Sequence, residues 1–203
     1  MITPFAIAQK DTNWVKNNLI ISATPTHFFE FFHGPSANVG IEVRANKRYS
    51  FYGEFGKYIP NTLFSSNYDQ KGHSFLVEAK RYFENGRTYF SLQYMQGKQN
   101  YIRTDFIAYD QYSSEYYEYS IDKTFQDISI RYGGVYVFKN RYTFNPYIGI
   151  GLRHHNADVE LTYQQEIDRE YGGSDLPHNW VHKGGSQIYP KLHFGMRFGI
   201  RVF

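Results

Sequence analysis

The chain has 203 residues, the length of one domain, and 41% of them are hydrophobic. With a mean hydropathy of −0.58, no run approaches the ~20 consecutive apolar residues that a membrane-spanning helix needs. The absence of cysteine excludes a disulfide framework and thiolate metal sites, and a net charge of +3 with scattered basic residues argues against nucleic acid as a partner.

Tyr and Phe are abundant, 20 and 18 residues respectively. Low hydropathy combined with so many amphipathic rings suits strands that alternate apolar and polar residues. At the N-terminus, Ala6-Ile7-Ala8 before Gln9 reads as the small-residue end of a secretory signal peptide. Residues 1–9 are therefore expected to be a signal remnant, and 10–203 a single domain.

No stretch combines helical periodicity with caps. Eight strands are expected instead, at roughly 15–24, 37–45, 49–59, 73–83, 87–98, 125–138, 142–157 and 187–203. Three connections are tight: Asn46-Lys47-Arg48, Glu84-Asn85-Gly86 and Lys139-Asn140-Arg141. Asn-Gly is the strongest short hairpin signal. Aromatic residues flank all three turns: Tyr49 and Phe51; Tyr82, Phe83, Tyr89 and Phe90; Phe138, Tyr142 and Phe144. The other connections are expected to be long, over roughly 25–36, 60–72, 99–124 and 158–186. Strict alternation of short and long connections is what a transmembrane barrel does.

The period-two pattern assigns each strand two faces. Val39, Ile41 and Val43 share one face; Asn38, Glu42 and Arg44 share the other. Likewise Phe51 and Phe55 oppose Glu54; Phe75 and Val77 oppose Glu78 and Lys80; Ile128 and Ile130 oppose Arg131; Ile148, Ile150 and Leu152 oppose Arg153. In the last strand Leu192, Phe194, Met196, Phe198, Ile200 and Val202 oppose Arg197 and Arg201. The second face also collects Gly and Tyr. A narrow lumen needs glycine for room and both signs of charge for mutual pairing, because an isolated buried ion is costly. Glu54 or Glu78 is expected to pair with Arg131, Arg153 or Arg197. Pro146 and Pro190 remove ladder donors, so bulges or strand ends are expected there.

With this alternation, the aromatic girdles and the terminal Phe203, the stretch from Asn17 to Phe203 resembles the small eight-stranded bacterial outer-membrane proteins of the OmpA/OmpX type. The resemblance implies an antiparallel up-and-down transmembrane β-barrel, with tight periplasmic turns, long extracellular loops and a location in the outer membrane. Its implied partners are outer-membrane lipid, lipopolysaccharide and other outer-membrane proteins; it implies no cofactor. Phe203 falls on the parity of Arg201, whereas in that family the last Phe shares the lipid-facing parity.

Several residues invite chemistry. His154 and His155 are neighbours on a strand, so they point to opposite faces and cannot share one metal ion without a bulge. Outer-membrane lipid A deacylases resemble the chain in strand count and carry a His-x-Ser pair. Here His155 is followed by Asn156 and Ala157, while His73-Ser74 would face opposite ways. The third long connection is rich in Tyr, including Tyr112, Tyr116 and Tyr117, and it either binds a partner or extends the strands. The fourth carries Trp180. The expectation is a non-enzymatic, structural or accessory outer-membrane barrel. Its alternatives are a lipid A acyl hydrolase and a soluble lipocalin-like carrier, whose apolar faces would line a pocket.

Overall fold

The computed structural model describes residues 19–25, 36–60, 67–108, 114–162, 165 and 184–202. The signal-peptide reading of residues 1–9, Tyr112, Trp180 and Phe203 lie outside them. Nine strands form: β1 (Leu19–Ala23), β2 (Ser36–Arg44), β3 (Tyr49–Tyr58), β4 (Asn67–Tyr82), β5 (Thr88–Ala108), β6 (Ser114–Gly134), β7 (Tyr136–Phe138), β8 (Tyr142–Val159) and β9 (Gly185–Arg201). They make one sheet in the order β6-β5-β4-β3-β2-β1-β9-β8-β7, and a further β6–β8 pairing closes it into a ring. Every pairing is antiparallel.

Nine strands rather than eight is the work of one proline. Gly133 pairs with Tyr147 and Tyr136 pairs with Phe144, so β6 and β7 keep one register against β8. That register sets Pro146 opposite Gly134, where the ladder breaks. Just before β8, Arg141 O accepts from Arg201 N of β9, so odd positions along β8 bond toward β9 and even positions toward β6 and β7. Pro146 is even, and the N–H it lacks belongs to the broken ladder. Val135 instead donates to Arg87 O at 2.9 Å, on the β5 side.

Pro190 corrects the expectation of a bulge or a strand end. It pairs with Leu152 inside β9, in unbroken register. Val202 N donates to Leu19 O, so even positions of β9 bond toward β1. Described pairing with β1 reaches only from Arg201 to Phe198, so the proline costs the β8–β9 ladder nothing.

The strands overrun their expected ends. β5 and β6 have 21 residues each, so most of 99–124, read as a loop, is paired strand. β4 likewise begins at Asn67 rather than 73 and carries an irregularity between Tyr68 and Lys71. The turns follow their sequences. Asn46 Oδ1 accepts from Arg48 N and Tyr49 N, and Asn85 Oδ1 accepts from Arg87 N and Thr88 N. Lys139 and Asn140 both have positive φ, 50° and 56°, as a type I′ turn requires.

Register also fixes the shape of the ring. From Leu192, successive partners are Ile150, Ile130, Leu92, Ala79, Phe51, Val43 and Leu19, and Leu19 bonds Val202. One circuit thus returns ten residues further along β9. With ~3.3 Å rise per residue and ~4.8 Å between strands, the strands tilt about 40° to the ring axis.

The two faces differ sharply. Phe194, Leu192 and Ile150 are 80%, 78% and 66% exposed, whereas Arg131, Arg153 and Arg197 are 2%, 1% and 2% exposed. Along the middle of the wall the outward side chains are hydrophobic, and the buried arginines point inward.

Candidate functional site

The interior begins at the turn end. Glu42 accepts hydrogen bonds from Ser50 Oγ at 2.6 Å, Lys80 Nζ at 2.5 Å and Tyr82 Oη at 2.7 Å. The Arg44 guanidinium stacks on the Tyr82 ring and donates to the carbonyls of Asn46, Lys47 and Gly86. It thereby ties β2 to the β2–β3 and β4–β5 turns. Tyr89 Oη donates to Asn145 Oδ1 at 2.7 Å. Tyr82 and Tyr89 were expected in the outer girdle; both are buried, with Val135, inside the ring. Their parity, shared with Lys80 and Ser91, outweighs their closeness to a turn.

One level further from the turns, Glu78 accepts from Arg197 Nη1 at 2.5 Å and from Ser91 Oγ at 2.6 Å. Glu54 accepts from Thr24, from Asn38 at 2.9 Å and from Tyr52 at 2.6 Å, with Arg197 Nε 3.9 Å away. Arg197 therefore lies between two carboxylates, and its guanidinium also stacks 3.9 Å from the centre of the Tyr52 ring. Of the expected pairings, Glu54 and Glu78 with Arg197 form. Such charge-assisted, multiply donated carboxylates are the arrangement in which burial of ions is tolerable.

Arg153 goes elsewhere. It makes a two-pronged contact with Asp127, which also accepts from Lys191 at 3.1 Å. Arg153 stacks on Phe125. Asp127 was missed in the sequence, although it shares parity with Ser129 and Arg131 and the pattern could have found it. Arg131 meets no carboxylate among the described residues. It lies 3.2 Å from His193 Nδ1 and over the Tyr147 ring. Arg201 is half-buried, at the turn end.

Ions of both signs line the described interior. Its buried cations are Arg44, Lys80, Arg103, Lys123, Arg131, Arg153 and Arg197; its buried carboxylates are Glu42, Glu54, Glu78 and Asp127. Apolar groups fill the space between, with Tyr52, Tyr58, Leu76, Met95 and Phe125 in one cluster. Toward the far end Tyr101, Tyr119, Ile121 and Ala157 form another, against which Tyr117 packs. Tyr116 points out and is 75% exposed.

The other rings expected in the outer girdle lie on the outer face. Phe83, Phe90 and Tyr132 meet at 5.3–6.4 Å between centroids. Phe144 packs on Phe198 at 5.1 Å, while Tyr49, Phe51, Phe138 and Tyr142 are exposed.

The histidine pair splits as its spacing requires. His154 is outside, 2.8 Å from Ser186 Oγ; His155 is wholly buried against Tyr189. His73 is exposed and Ser74 buried, on opposite faces. The chain matches no protein-family model, no curated protein and no solved structure.

Proposed function

We propose that the chain is a non-enzymatic β-barrel of the bacterial outer membrane, filled by its own side chains. It serves as a structural or accessory subunit of a cell-envelope assembly. One observation carries this reading: the sheet is apolar on its convex face and ionic on its concave face. In water, the outer face would far exceed the few hundred Å² of contiguous apolar surface that monomers expose. Against acyl chains the same area contributes roughly 25 cal/mol per Å². A soluble carrier needs the reverse arrangement, with an apolar cavity and solvated charges. A ring of this size has room for its own side chains and little else. On this reading the biological contacts are with lipid, lipopolysaccharide and neighbouring outer-membrane proteins, through the outer surface and the long connections.

Fractionation of cells that make the full chain tests the proposal. The protein is expected with the outer membrane, released only by detergent, and faster on a gel unboiled than boiled. Co-purification in mild detergent then identifies a neighbour. A chain that stays monodisperse in buffer without detergent would overturn the reading.

A further inference from the structure

The interior holds a cluster whose polar atoms lack protein partners. Arg131 is 2% exposed, and its Nε and Nη1 have no acceptor among the described residues. Gln93 is 0% exposed, with neither amide atom hydrogen-bonded, and Ser129 is 1% exposed with an unbonded Oγ. His193, against Arg131 Nη2, has a bare Nε2. Register brings these residues together. Gln93 faces Ser129 directly across β5–β6, and Ser129 and Arg131 are same-face neighbours on β6. Gly149 sits between Arg131 and His193 in the next row. A Cβ on Gly149 would lie 2.7 Å from Arg131 Cγ, so the glycine lets the arginine stem cross β8.

Most buried groups of this kind find a hydrogen-bond partner. Glu78 acts on Arg131 only through space, its oxygens being taken by Arg197 and Ser91. The described interior carboxylates are committed: Glu78 and Glu54 to Arg197, Glu42 to Lys80, Asp127 to Arg153 and Lys191. Arg131 touches none of them among the described residues, so the group that fits beside its Nε and Nη1 is an anion. It must be small, because side chains fill the ring, and it must accept hydrogen bonds from a guanidinium, an amide N–H and a hydroxyl.

We propose that Arg131, Gln93, Ser129 and His193 hold a halide-sized monovalent anion inside the ring, as a structural counter-ion. The site needs only the closed sheet, so it stands apart from the location of the protein.

The test uses the folded full chain, freed of halide by exchange into sodium gluconate and returned to sodium chloride or bromide at equal ionic strength. At about 100 times the half-saturating concentration, halide is expected to raise Tm by roughly 5–10 °C. Crystals grown with bromide are expected to give an anomalous peak at hydrogen-bonding range of Arg131. Arg131→Gln is expected to lose both signals. Should that variant not fold, Gln93→Leu keeps the question open to measurement, with half-saturation rising about tenfold, the worth of one hydrogen bond of ~1.4 kcal/mol. Equal Tm in gluconate and halide, or bromide found only at surface positions, would overturn the proposal.

Discussion

Arg197 is the side chain on which most of the interior converges. It reaches Glu78 from β9 to β4, 119 residues apart in the chain, and approaches Glu54 on β3. Removing one partner of such a pair leaves the other charged and dry, which costs about 3–5 kcal/mol, whereas removing both with apolar groups of similar volume is often neutral. Glu78→Gln and Arg197→Met are each expected to destabilise by about 3 kcal/mol. The double variant is expected to lose less than the sum, with a coupling of ~1–3 kcal/mol read from denaturant unfolding. Additive losses would mean that the contact is incidental. The sequence made the facing of these residues legible, because period two assigns every side chain to a side. It could not pair them. Which carboxylate meets which guanidinium depends on the ten-residue offset gained around the ring, which no local pattern encodes. Arg153 illustrates the gap: Glu54 or Glu78 was the expected partner, and Asp127 was nearer.

At the scale of the element, strand centres were readable and strand ends were not. Beyond Tyr94 and before Ile128 the outward positions turn polar, as Gln96, Lys98, Asp122, Thr124 and Gln126. Apolar alternation therefore vanishes while hydrogen bonding continues through β5 and β6, and residues 99–124 look like a loop. Prolines mislead in the same way. Sequence says that a donor is missing, but the direction in which it would have pointed decides the effect. Pro146 points into the ladder that β6 and β7 make with β8 and interrupts it; Pro190 points away from β8 and interrupts no described pairing. Pro146→Val should restore a donor opposite Gly134 and suit the strand conformation. The expected gain is up to about 1 kcal/mol. Hydrogen exchange checks it: the new amide at 146 should be protected as strongly as its neighbours in β8. Rapid exchange there would show that something other than the missing N–H breaks the ladder.

For the whole molecule the decisive property is the inversion of polarity. The outward row through Leu192, Ile150, Ile130 and Leu92 is apolar, and the inward rows one residue away are polar, Lys191-Gly151-Ser129-Gln93 and His193-Gly149-Arg131-Ser91. The charge of an outward side chain is then a gauge of the surrounding medium. Ile150, 66% exposed with apolar neighbours on both sides, is the position to use. In a bilayer, a lysine near mid-depth of a barrel wall costs ~2–4 kcal/mol, falling to ~0–1 near the interfaces. Ile150→Lys is therefore expected to destabilise the protein by about 2–3 kcal/mol when folded into lipid vesicles. Tyr142→Lys, at the turn end of the same strand, should cost less than about 1 kcal/mol. A surface bathed in water gives the opposite result: exchanging an exposed isoleucine for lysine there is nearly neutral, within ~0.5 kcal/mol, and depth has no meaning. Equal and small effects at 150 and 142 would place the wall in water and remove the ground for an outer-membrane role. A graded penalty would give that role its direct energetic signature, because lipid alone makes the cost of a charge depend on its height along the strand.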